Sequence, residues 1–317
     1  NVSEPKLEPH WRRPASDSVV EFCESKGIRL HGHPIIWGIT RWHHPEWLFE
    51  QFCPDEEKER LNEFSQSELW ELTPAQIEEL APIYTQELKR LFEKRVVDLA
   101  NYYGDRIHSW DVVNESALDY HGDAVTGDPI ITSSRWTALL PGDYTYHAFK
   151  TANRVFPRNV LLNINEYYNH DIYVNQVKDL LSSGCRIDII GSQMHMFNPQ
   201  HTLEIAAGEH RQTPQQIWDR MGLLSQTGLP IHLSEITITA PDDDTSGREI
   251  QAVVARNLYR LWFSIENMMG ITWWNIVDDC GAPGEPTTSG LFTRNMEPKP
   301  SYYALNQLIN EEWKTNL

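Results

Sequence analysis

Two glutamates close apolar runs in this chain. Glu115 ends "SWDVVNE" and Glu235 ends "LPIHLSE", each preceded by a small polar residue, Asn114 and Ser234. A carboxylate at the end of a buried strand needs either a neutralising partner or a chemical task. One such glutamate fits a buried Lys or Arg partner. Two of them, on different strands, fit the carboxyl pair that sugar hydrolysis requires, in which one protonates the leaving oxygen and the other attacks the anomeric carbon or activates water. Other runs also end in polar or aromatic residues: His33 and Trp37, Asn165, Gln193 and His195, and Trp274.

The elements that must position these groups are visible as six short apolar runs, at 28–37, 106–115, 159–167, 186–195, 229–236 and 270–278. Amphipathic stretches separate them. Leu88, Leu91, Phe92, Val96 and Leu99 share one helical face, as do Ile250, Val253, Val254, Leu258 and Leu261. Thr213-Pro214 opens one helix and Gly228 closes it, while Gly184 closes the helix before the strand at 186. Strands alternating with helices predict a parallel sheet, and runs this apolar predict burial on both faces. No Gly-rich phosphate loop follows a strand, which turns the reading from a nucleotide-binding sheet to an α/β fold of the (β/α)8 TIM barrel type. In such a barrel the strand ends converge on one mouth.

Six runs are fewer than the eight strands of a closed barrel. The chain opens with "NVSEPKLEPHWRRP", a loop leading into a helix at about 16–26, so the first strand-helix unit and most of the second strand are expected to lie upstream of residue 1. Residues 1–317 then form a single catalytic barrel domain, with the charged stretch at about 50–85 as an insertion in the loop after the third barrel strand, at the mouth.

Net charge is 27 minus 45, or −18, without a Lys/Arg cluster, which argues against nucleic acid and against an anionic membrane surface. No apolar run is long enough to span a bilayer, and the amino terminus has no basic-then-apolar leader, so a soluble protein is expected, with any signal peptide already removed; the expected location is extracellular, periplasmic or at the cell surface. Twelve Trp and twelve Tyr supply faces for core packing or for stacking on sugars. Cys23, Cys53, Cys185 and Cys280 fit no zinc spacing and read as core thiols, with one bridge possible. No cofactor is expected.

The segments "HGHPIIW", "WDVVNE", "NINEYY", "IIGSQMH", "LSEI", "ITWWNIVD" and "SGLFTRNMEPKPSYYAL", in this order from residue 31 almost to the end, resemble the motifs of the family 10 glycoside hydrolases, the endo-β-1,4-xylanase family. The resemblance implies a retaining hydrolase of β-1,4-xylan or a related plant-type β-glycan, with Glu115 as acid/base and Glu235 as nucleophile. Carried over by position, Asn114 bonds the sugar 2-hydroxyl and His33 with Trp37 holds the sugar beside the cleavage point. Gln193 and His195 lie against the nucleophile, Asn165 and Tyr167 join the sugar-binding set, and Trp274 forms an aromatic floor. Adjacent strand residues point opposite ways, so Trp273 is expected in the core. His232 reads as structural, and parity turns Glu166 away from the side of Asn165.

Three positions depart from the family pattern. Gly38 stands where His is usual, Thr237 replaces the Asp that shares a network with the His195 position and the nucleophile, and "NVSEPKLEP" leaves Lys6 out of register with the family's sugar-gripping Asn-x-x-Lys-Trp. Two other functions remain open on the residues alone. A metal-dependent barrel hydrolase would use His31, His33, His195 and Asp278. A carbohydrate-binding protein would keep the fold without turnover.

Overall fold

The computed structural model describes residues 13–38, 47–120, 131–133, 139–141 and 144–314. They fall into two compact units that divide after Ile189.

The first unit opens with helix α1 (Arg13–Lys26), then the two short strands β1 (His31–Gly32) and β2 (Ile36–Trp37). Four short helices follow, α2 (Trp47–Phe52), α3 (Asp55–Asn62), α4 (Gln66–Glu71) and α5 (Pro74–Leu80), and then the long α6 (Pro82–Tyr103). Strand β3 (Ser109–Asn114) runs into a 3-10 turn at Ala117–Asp119, and β4 (Ile131–Ser133) and β5 (Leu139–Pro141) form an antiparallel pair. Helix α7 (Tyr144–Val155), β6 (Leu161–Asn165) and α8 (Asp171–Ser182) complete it. Both β1 and β2 pair in parallel with β3, and β3 pairs in parallel with β6. Gly32 is opposite Trp110 in this ladder, and a Cβ there would come within 2.3 Å of the indole, so only glycine fits between the strands.

The second unit contains β7 (Ile189–Met196), α9 (Pro199–Ala206), α10 (Pro214–Ser225), β8 (Ile231–Ile238), α11 (Thr245–Phe263), β9 (Met268–Trp273) and α12 (Pro300–Gln307). Its strands β7, β8 and β9 are parallel neighbours in that order. Every residue of β8 is buried, as is every residue of β7 except His195, the two-faced burial expected of a parallel sheet with helices outside. Thr213 caps α10 in a reciprocal bond set with Gln216, and Gly184 and Gly228 take positive φ after α8 and α10, as the sequence predicts.

Four expectations need correction. Only Trp273 is buried in β9, because β9 ladders with β8 and, among the described residues, with no second strand. Val253 is 57% exposed: the inner face of α11 is rotated toward Gln251, Val254, Ala255 and Leu258. Gln251 is tolerated there because its Nε2 donates to the Ile238 carbonyl and its Oε1 accepts from Ser301. Cys23, Cys53 and Cys185 are buried thiols, but Cys280 is exposed, and all four are free. Helix α1 begins at Arg13, three residues before the expected start.

The 50–85 stretch is helical and builds a core of its own. Cys53, Leu61, Ile77, Ala81, Tyr84 and Leu88 pack together, and Phe49, Phe52, Leu72 and Leu80 flank them. Its anchor is electrostatic. Helix α6 starts after Ala81, which offers no side-chain cap, and the buried Glu57 of α3 accepts the orphan N–H groups of Ile83 at 2.9 Å and Tyr84 at 2.8 Å. Glu57→Ala removes both acceptors at once. It is expected to destabilise the protein by about 2 kcal/mol, with amide exchange accelerating first in residues 47–88. Unchanged exchange there would deny Glu57 this anchoring role.

Candidate active site

Glu115 follows β3 directly and takes a left-handed backbone, φ +55°. A side chain is strained in that region by about 1 kcal/mol or more. The conformation is held by neighbours: the Glu115 N–H donates to the Asn165 carbonyl at 2.8 Å, and its Oε2 accepts the indole N–H of Trp37 at 3.0 Å. Trp37 is brought there by register, being the β2 partner of Asn114. A β-bulge interrupts the β3–β6 pairing between Asp111 and Val113, just ahead of the glutamate, a device that re-aims the following side chains.

Asn114 and Asn165 are register partners and both fully buried, and the Asn165 amide donates to Asn114 Oδ1 at 2.8 Å. Asn165 therefore orients Asn114. Tyr167, two residues on, is 45% exposed. His33 sits 6.2 Å from Trp37, ring centroid to centroid, and its Nδ1 bonds Asp111 Oδ2 at 2.8 Å. His31 Nε2 reaches the same oxygen at 2.9 Å. Burial works against the charged form of Asp111, but these two imidazoles prevail and hold its carboxyl well below the usual carboxylate range.

Asp111 is the residue that the sequence reading missed. Its signal was present: an Asp inside an apolar strand must find donors, and the "HGH" segment supplies two.

In the second unit, Glu235 is 5% exposed and lies in β8 with Gln193 of β7 as its register partner. The pairing shifts between Ser192 and Gln193, so a bulge precedes this carboxylate as well. His195 Nε2 lies 3.2 Å from Glu235 Oε2, and its Nδ1 lies 2.8 Å from Thr237 Oγ1. A neutral imidazole satisfies both contacts, with Nε2–H donating to the carboxylate and the threonine hydroxyl donating to Nδ1. The replacement of Asp by Thr thus preserves the bond to His195 while removing a charge. Trp274 meets the His195 ring edge-on at 5.9 Å, is 36% exposed, and donates its indole N–H to Glu285 Oε1 at 3.1 Å. Trp273 is buried and donates to the Ser289 carbonyl, so the two tryptophans divide between surface and core. His232 is structural, bonded to Thr272 Oγ1 and lying over Gly270.

The alternative metal ligands are otherwise engaged. His31 and His33 turn to Asp111, His195 to Glu235, and Asp278 accepts from the buried Lys299 Nζ at 2.9 Å and from the Gly290 N–H at 2.7 Å. Among the described residues no cluster of His, Cys, Asp and Glu is arranged to hold a metal ion, and no helix is long and apolar enough to cross a membrane. Lys6 lies outside the described residues.

Comparison with known proteins agrees with the family resemblance. The profile of Glycosyl hydrolase family 10 matches residues 7–308. The chain is 29% identical to endo-1,4-beta-xylanase A of Halalkalibacterium halodurans, covering 94% of this chain and 73% of that protein. It is 24% identical to endo-1,4-beta-xylanase B of Paenibacillus barcinonensis, over 92% and 80% of the two. The crystal structure of xylanase 10B from Thermotoga petrophila in complex with xylobiose superimposes with a TM-score of 0.67 at 19% identity, covering 98% of this chain and 83% of that one. With Glu115 directly after parallel strand β3, Glu235 within parallel strand β8 and a family match over nearly its whole length, the chain belongs to glycosyl hydrolase family 10, a (β/α)8-barrel glycoside hydrolase.

Proposed function

We propose that the protein is a retaining, endo-acting hydrolase of β-1,4-xylan or a closely related plant-type β-glycan, with residues 1–317 acting as one catalytic domain. The observation that carries the reading is that each glutamate is met by a ring nitrogen suited to its task. An indole N–H fixes Glu115 without adding positive charge, so its carboxyl group can give up and take back a proton. An imidazole on Glu235 Oε2 orients that carboxylate for attack through its other oxygen.

In the first step Glu235 attacks the anomeric carbon while Glu115 protonates the departing glycosidic oxygen, leaving a glycosyl ester on Glu235. In the second, Glu115 takes a proton from water, the water oxygen attacks the anomeric carbon, and the Glu235 carboxylate leaves with the original configuration restored. Asn114, steered by Asn165, suits the 2-hydroxyl beside the reacting centre. His33, Trp37 and Tyr167 suit the sugar next to the cleavage point, Gln193 and His195 flank the nucleophile, and the half-exposed Trp274 offers an indole face to a pyranose. A long polysaccharide does not cross a membrane, so the proposed enzyme works outside the cytoplasm.

The choice of xylan leans on what the relatives are called and on a neighbour that holds xylobiose. It is tested by following products from xylans, mixed-linkage glucans and cellulose, with proton NMR of the first sugar released. Internal cleavage of xylan giving the β-anomer first is the expected result. Early α-anomer would mean inversion, and glucan products without xylan products would reassign the substrate.

A further inference from the structure

Glu166 is a buried carboxyl group that the proposed chemistry does not use. It stands one residue beyond Asn165, is 1% exposed, and gathers three backbone donors. Its Oε2 accepts the Ala117 N–H at 2.8 Å, and its Oε1 accepts those of Tyr167 at 2.8 Å and Tyr168 at 2.9 Å. Ala117 belongs to the turn that follows Glu115, whereas Tyr167 and Tyr168 belong to the turn after β6. A single carboxylate therefore ties the two turns together.

We propose that Glu166 is a positioning residue for Glu115, its carboxylate clamping the turn after β3 to the turn after β6 so that the acid/base side chain is held in its left-handed backbone. The proposal rests on the reading of Glu115 as acid/base. Its geometric basis is a pair of staples on either side of Ser116. The Glu115 N–H is tied to the Asn165 carbonyl, and the Ala117 N–H is tied to Glu166. Gln176 of α8 holds the residue between them, donating Nε2 to Ser116 Oγ at 3.0 Å and to its carbonyl at 3.3 Å. Strained backbone persists only where its surroundings over-determine it, and here three successive residues are pinned from outside the turn.

An amide would not do the same work. Glutamine offers one acceptor oxygen, and its NH₂ would face either the Ala117 N–H or the tyrosine N–H pair. The carboxyl group is also electrically coupled to the residue it positions. Burial, joined by the charge of Glu115, outweighs the three N–H bonds that favour the ionised form, and Glu166 is raised to about 7. The other titratable groups nearby are Asp119 of the 3-10 turn and Tyr144 of α7, whose hydroxyl donates to Asp119 at 3.1 Å and which burial, Asp119 and Glu166 all push up.

The test is Glu166→Gln together with Glu166→Asp, which keeps the charge but withdraws it by one methylene. Each is assayed for kcat/KM on the polysaccharide, whose leaving group needs an acid, and on a 2,4-dinitrophenyl β-glycoside of the same sugar, whose leaving group does not. A misplaced Glu115 should lower the first by roughly 10- to 100-fold and the second much less, in both variants. Equal losses on both substrates, no loss on either, or failure of both variants to fold would overturn the proposal, since a merely structural role would then suffice. Glu115→Ala serves as the reference in the same assays. If it loses equally on both substrates, the acid/base reading has failed; if it discriminates and the Glu166 variants do not, only the positioning role has failed.

Discussion

Glu235→Ala is expected to lower kcat by roughly 10⁴-fold or more while the protein stays folded, because no glycosyl ester can form without the nucleophile. The substitution removes a buried charge rather than a packing element. His195 retains its bond to Thr237, so circular dichroism and the unfolding midpoint should change little. Azide then supplies what the side chain no longer does. Small and anionic, it can enter the space left by the carboxylate and attack the anomeric carbon as an activated phenolate departs, giving a glycosyl azide of inverted configuration. Rescue should appear with activated aryl glycosides and not with polysaccharide, whose leaving group is too poor. Wild-type turnover in the variant would remove Glu235 from the mechanism. A folded variant that azide cannot rescue would assign Glu235 to another role.

The parts of the site that lie on strands were legible because a strand ties position to direction. Asn114 and Asn165 stand at strand ends as "WDVVNE" and "NINEYY" suggest, whereas Glu235 of "LSEI" lies inside β8, which runs on to Ile238; ladder register sets Trp37 beside Asn114 and Gln193 beside Glu235. Simple alternation was a less reliable guide, because β3 and β8 each carry a bulge ahead of the glutamate. Glu166 shows the limit. Parity turns it from Asn165, but nothing in the period of a strand says that its carboxylate will close over the Ala117 N–H, a residue 49 positions away in the chain. Asp111 was hidden for a related reason: its partners come from β1 and the segment after it, and only the demand of a buried charge pointed to them.

Helical faces were legible to within a residue or so. Of the α6 stripe, Leu88, Val96 and Leu99 are buried while Leu91 and Phe92 are only partly so, and α11 is rotated toward a buried Gln251 that finds bonds no hydropathy pattern records. The charge of the 50–85 stretch announced an insertion but concealed its core, since Cys53, Leu61, Ile77 and Tyr84 come from four separate segments. Its junction with α6 depends on Glu57, which in the run "PDEEKER" is indistinguishable from its exposed neighbours until the fold lays it under the first turn of that helix. Thr237 is the converse case. The sequence marked it as a departure, and only coordinates show that a hydroxyl can hold His195 where a carboxylate is usual.

Glu115→Ala should separate substrates by their leaving groups. The acid matters in proportion to the basicity of the oxygen that departs, so polysaccharide cleavage should fall by roughly 10²- to 10⁴-fold while kcat/KM for a dinitrophenyl glycoside stays near the wild-type value. The second step behaves differently. Water must still be deprotonated to release the sugar from Glu235, and with its base gone the glycosyl ester should accumulate, visible as a burst of phenolate followed by slow turnover. Added azide needs no deprotonation and should restore turnover, giving a glycosyl azide of retained configuration, the opposite outcome from the Glu235 variant. Removing Glu115 also leaves the Trp37 indole N–H without that acceptor, while an Ala at φ +55° keeps the backbone cost. Some stability is therefore lost, and the comparison between substrates, not the absolute rate, carries the argument. Equal losses on both substrates without a burst would mean that Glu115 shapes the site but transfers no proton.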